Sequence, residues 1–76
     1  MNIKILDTGS AHCKKLEENT QKALKESNIS ASIEKITDLN RIIKYGDIPS
    51  PALIINDHIV SHGRVPSTAE IKVYIN

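Results

Sequence analysis

The chain lacks most of the residues that announce a function. Its 76 residues include one cysteine, one methionine, two tyrosines, no tryptophan and no phenylalanine. A lone sulfur cannot close an internal disulfide, so no disulfide framework holds the fold, and a cytoplasmic location is the default expectation. Ten Lys and Arg stand against nine Asp and Glu, a formal charge of +1, so no strong field draws the chain to nucleic acid or an anionic membrane. The longest apolar run, Pro51 to Ile55, is far shorter than a bilayer span, and the N-terminus carries no long apolar segment of the secretory kind. No repeat, linker or low-complexity stretch divides the sequence.

With Phe and Trp absent, a core must be built from Ile, Leu, Val and Ala. The balance of 39% hydrophobic to 25% charged residues fits one small folded domain over residues 1–76 and not a disordered tail. Asn2 to Leu6 reads as a short buried strand, bounded after Asp7 by Thr8 and Gly9. From Ala11 to about Ser27 the period becomes helical. Cys13, Leu16, Thr20, Ala23 and Leu24 share one face, Lys14, Lys15, Glu18, Lys22 and Lys25 cover the other, and Ser10 stands where a cap would satisfy the opening amides. Glu18 and Lys22 have the spacing of an exposed ion pair.

Asn28 is a plausible helix stop, and Ile29 to Ile36 reads as a strand with one slip in its alternation. A second, short helix is expected from Asp38 to Tyr45, capped by Thr37 or Asp38, stopped at Gly46 and buried through Leu39, Ile42 and Ile43. Ala52 to Ile55 and His58 to Ser61 form a hairpin about an Asn56-Asp57 turn. Ser67 and Glu70 have capping-box spacing for a last helix from Thr68 to about Ile75. The order is βαβαββα, an α/β class. A right-handed parallel unit followed by an antiparallel hairpin gives a mixed sheet with helices on both faces.

The chemistry centres on Gly9-Ser10-Ala11-His12-Cys13 at the first strand-helix junction. A pair of thiols three residues apart at a helix start works because the first attacks a partner disulfide and the second resolves the mixed disulfide. Here the attacking position is the hydroxyl of Ser10, and only the resolving sulfur, Cys13, remains. No GxSxG pattern makes Ser10 a hydrolase nucleophile. Cys13 reads either as a small buried hydrophobe or as an accessible thiol open to mixed disulfides. His12 is either a plain first-turn residue or one that favours a neighbouring thiolate. His12, His58, His62 and Cys13 have no zinc-ligand spacing, and one soft ligand falls short of a copper site, so no metal is expected. Pro51 stands just before a buried strand. A trans turn proline is the plain reading, whereas a cis Ser50-Pro51 bond would turn the chain sharply and expose the backbone of Ser50 to a partner peptide.

Three separated segments, Gly9 to Asn19, Tyr45 to Asn56 and Gly63 to Ser67, closely resemble the small, glutaredoxin-sized thioredoxin-like proteins known as redox-active disulfide proteins. The likeness runs through nearly the whole chain. It implies a thioredoxin-like fold with a four-stranded mixed sheet in the order 2-1-3-4 and three flanking helices. It implies thiol-disulfide oxidoreductase activity. No cofactor is expected, the expected partner is a disulfide-containing protein or a small dithiol or reductase, and the chain is expected to be a monomer. It also matches Ser10 to the attacking cysteine, Cys13 to the resolving one and Pro51 to a cis-proline facing them. The serine, natural or engineered, leaves two readings: an exchange protein impaired in its two-cysteine cycle, or a non-catalytic peptide-binding module on the same fold.

Overall fold

A computed structural model describes residues 1–76. Strand β1 (Asn2–Leu6) leads into helix α1 (Ala11–Glu26), strand β2 (Ser32–Ile36), the short helix α2 (Leu39–Ile43), strands β3 (Ala52–Ile55) and β4 (His58–His62), and helix α3 (Thr68–Ile75). The sheet order is β2-β1-β3-β4, a mixed sheet of four strands. β1 pairs parallel with β2, Leu6 facing Ile36, and antiparallel with β3, Leu6 facing Ala52. This register brings the ends of β1 and β2, the start of β3 and the end of β4 to one end of the sheet, because Ala52 also faces His62.

Side chains alternate across a strand, so the sheet has two faces to cover. On one, Ile3, Ile5, Leu53 and Ile55 pack with Leu16, Ala23 and Leu24 of α1 and Ile71 and Ile75 of α3, with Tyr74 packed alongside. On the other, Leu6, Ile36, Ala52 and Ile54 meet Ile42 of α2, supported by Tyr45 and Ile48. The helical period of α1 is realised as expected: Cys13, Leu16, Thr20, Ala23 and Leu24 are its buried residues.

Local signals set most of the boundaries. Ser67 accepts from the Glu70 amide while the Glu70 carboxylate accepts from the Ser67 amide, a complete capping box for α3. Asn56 and Asp57 both have positive φ, +49° and +68°, which suits a tight hairpin whose turn follows the right-handed twist. Asp38 caps α2 by accepting from the Asn40 amide. Asn28, at φ +54°, follows the last turn of α1 as the left-handed stop.

Three expectations are corrected. β2 begins at Ser32 and not at Ile29, because Ile29 donates its amide back to Leu24 at the end of α1 and is not free to enter the ladder. α2 buries Ile42 alone, while Leu39 and Ile43 are 63% and 69% exposed. A five-residue helix has little more than one turn, so only one of its positions faces the sheet. Glu18 does not pair with Lys22. Lys22 reaches Glu26, which Lys72 of α3 also contacts, and Glu17 pairs with Lys35 of β2.

Candidate functional site

The junction between β1 and α1 stands at this shared end of the sheet. Gly9 turns the chain at φ +91°, a conformation open to glycine, and its amide donates to the Asp7 carboxylate at 2.6 Å. The turn delivers Ser10 to the N-cap of α1 in extended conformation. An N-cap serine ordinarily accepts from an amide of the first turn. Ser10 does not. Its side chain makes no cap bond, and its Oγ lies 3.5 Å from Cys13 Sγ, one turn inward. The expected capping role is therefore corrected: a nearby sulfur, held on the inner face of α1, takes the hydroxyl instead.

Cys13 is free and fully buried. Its sulfur faces oxygens on several sides: Ser10 Oγ, Ser50 Oγ at 3.7 Å and the Leu6 carbonyl at 3.9 Å. The Ser50 hydroxyl donates to the same Leu6 carbonyl at 3.2 Å. With its proton used there, Ser50 Oγ is one of several oxygens, with the Leu6 carbonyl and the Asp7 carboxylate, that face the single proton of the Cys13 thiol. The peptide bond between Ser50 and Pro51 is cis, and Pro51 is buried at the start of β3. Its turn is bonded asymmetrically. The Gly63 amide donates to both the Pro49 and the Pro51 carbonyls at 3.0 Å, while the N–H and carbonyl of Ser50 have no partner in the chain.

The structure thus brings Ser10, Cys13, Ser50 and Pro51 to one place. His12 is exposed in the first turn of α1 and its imidazole makes no hydrogen bond within the chain. Two contributors were not singled out from the sequence, Asp7 and Gly63. The Asp7 carboxyl is held below the ordinary carboxylate range, first by the thiol of Cys13, then by the Gly9 amide, with Lys35 adding attraction against a small desolvation cost. A carboxylate one residue past a strand is a common sight, and only the tertiary approach of α1 distinguishes this one.

Chemically, the accessible group of the pair is a hydroxyl and the sulfur is enclosed. No histidine or carboxylate accepts from the Ser10 hydroxyl, so nothing activates it as a nucleophile. No three His, Cys, Asp or Glu side chains converge to hold a metal ion. A concavity of about 370 Å³ lies elsewhere, between α1 and the start of β2, lined by residues that include Leu24, Lys25, Ile29 and Ile33. No helix is long and apolar enough to cross a membrane.

The ionised Asp7 and Glu70 are both favoured in the fold, Glu70 first by the Ser67 amide and then by Arg64. Their stabilisation is full above the ordinary carboxylate range, about pH 4, and is lost as pH falls through the lowered folded values. Asp7→Asn is expected to narrow the gap in melting temperature between about pH 6 and pH 2.5. An unchanged gap would place the acid sensitivity elsewhere.

Comparison with known proteins agrees with this architecture. A family model described as a thioredoxin domain matches residues 1–76. The chain is 40% identical over 72 residues to a thioredoxin of Methanothermobacter thermautotrophicus, covering 95% of this chain and 94% of that one. It is also 40% identical over 70 residues to a thioredoxin of Methanocaldococcus jannaschii, covering 92% of this chain and 80% of that one.

Proposed function

This chain belongs to the thioredoxin domain family, whose members here support a function of the thiol-disulfide oxidoreductase type, and from that premise we propose that it is an exchange protein stopped before its first step. Ser10 occupies the position of the attacking cysteine, Cys13 that of the resolving thiol, and His12 would tune a thiolate at position 10. Ser50 and Pro51 form the docking edge for a disulfide-containing protein or a small dithiol or reductase partner. No cofactor is needed. The setting proposed is the cytoplasm, for a monomeric single domain spanning 1–76.

The observation that carries this reading is the 3.5 Å approach of Ser10 Oγ to Cys13 Sγ beside the Ser50-Pro51 turn. It is the spacing of an attacking and a resolving group with one atom exchanged. A hydroxyl cannot accept electrons as a disulfide does, so the two-cysteine cycle stops at Ser10. The deciding experiment is Ser10→Cys under an oxidising buffer. A disulfide between positions 10 and 13, seen as a two-proton mass loss and one bridged peptide, supports the reading, and its persistent absence sinks it.

A second reading, a non-catalytic peptide-binding module, draws on the enclosure of Cys13 and the unpartnered backbone of Ser50. It expects partner capture by the unchanged chain to survive Cys13→Ser under non-reducing conditions. Capture that disappears with the sulfur would reject it in favour of thiol chemistry.

A further inference from the structure

The geometry points to the amide of Gly63 as the positioning group of the docking edge, fixing which backbone groups a partner meets. This inference rests on the docking role proposed for Ser50 and Pro51. Residues 49–51 carry few free polar backbone groups, because the two prolines have no N–H. That leaves three carbonyls and the amide of Ser50. Gly63, one residue past β4, donates to two of those carbonyls, Pro49 and Pro51, at 3.0 Å each. What remains unpaired is one donor and one acceptor, both on Ser50. An extended peptide pairs through a donor and an acceptor of a single residue, as strands do in an antiparallel ladder. The clamp therefore removes two competing acceptors and leaves a single register.

Two further observations support Gly63 in this role. Its φ is +70°, and a methyl group at its Cα would sit 3.1 Å from Pro49 Cβ, so the close approach of β4 to the turn needs a residue without a side chain. The same clamp also holds Ser50, whose Oγ faces Cys13 Sγ at 3.7 Å and donates to Leu6 at 3.2 Å. The end of β4 thus sets the Ser50 side of the site, whereas the Gly9 turn and the first turn of α1 set positions 10 and 13.

The test removes the donor without adding a side chain. A chain assembled by chemical ligation with an ester in place of the amide between His62 and Gly63 loses the N–H and gains no side chain, and Gly63→Ala supplies an independent displacement. The probe is a ten-residue peptide closed by one internal disulfide, titrated into the otherwise unchanged chain while the Ser50 amide resonance is followed. Affinity for the ester chain is expected to fall about tenfold, the loss of roughly one positioned hydrogen bond, and the Ser50 amide should shift before any peptide is added. The same ester in the Ser10→Cys background should change formation of the 10–13 disulfide less than it changes peptide affinity, because positions 10 and 13 are spaced by the first turn of α1 and its N-cap, and Gly63 reaches Cys13 only through Ser50. A folded ester chain that binds the probe as tightly as the amide chain overturns the inference. If Ser10→Cys never forms its disulfide, the exchange reading falls, and the titration still decides on the clamp.

Discussion

Ser10→Cys is expected to convert a chain with background activity into one that reduces insulin or a small disulfide in the presence of a dithiol donor. The gain should be on the order of a hundredfold or more, because it adds a nucleophile and an internal resolving step at once. Position 10 is exposed at the amino end of a 16-residue helix, where unsatisfied amides and the helix dipole favour a thiolate. In the first step that thiolate attacks a partner disulfide. A bond forms between the position 10 sulfur and one partner sulfur, and the other partner sulfur leaves as a thiolate and takes a proton from water. Cys13 then loses its proton and attacks the position 10 sulfur, closing the 10–13 disulfide and releasing the second partner thiol. Two electrons pass to the partner, and the dithiol donor returns them to the pair. Adding Cys13→Ser to Ser10→Cys should leave the first step and abolish the second, so mixed disulfides accumulate on non-reducing gels. Activity equal to that of the Ser10 chain, with the 10–13 disulfide formed, would mean that the partner edge and not the missing sulfur limits this protein.

The largest expected loss of stability is at Leu53. It lies fully buried in central strand β3, facing Ile5 on one side and Ser61 on the other, within the cluster shared by α1 and α3. Leu53→Ala removes buried methyl groups and leaves a void that the sheet cannot close, at a cost of about 3 kcal/mol. A chain of this length has about 4 to 11 kcal/mol in all, so the variant should melt about 12 to 24 °C lower. Leu39→Ala deletes the same atoms from a side chain that is 63% exposed and should cost under about 0.5 kcal/mol. Thermal unfolding followed by circular dichroism separates the two. Equal losses would mean that α2 is buried in solution against something outside this chain.

The contrast between Leu53 and Leu39 also marks where the sequence is readable. β1, α1, the hairpin and α3 follow from signals carried within each segment: alternation or a sustained helical period, an Asn-Asp turn, a Ser67-Glu70 box. In α2 the pattern is too short to choose a face, and Leu39, Ile42 and Ile43 are equally apolar on paper. Only the position of the sheet selects Ile42. The site shows the same division. The spacing of Ser10 and Cys13 and the proline before β3 are local, and both were legible. The hydroxyl of Ser10 chooses between a first-turn amide and a sulfur according to how α1 seats on β1, which no local spacing records. The Gly63 clamp joins residues 12 and 14 positions apart in the chain, and the thiol-carboxylate approach at Asp7 depends on the packing of α1.

The two tyrosines fall on opposite sides of the sheet, Tyr74 against the cluster of α1 and α3 and Tyr45 against that of α2. In a chain without tryptophan, each phenol is an intrinsic optical reporter for its own layer. Replacing one with phenylalanine leaves a fluorophore that watches a single layer melt, so whether the two layers come apart together is readable without attaching a dye.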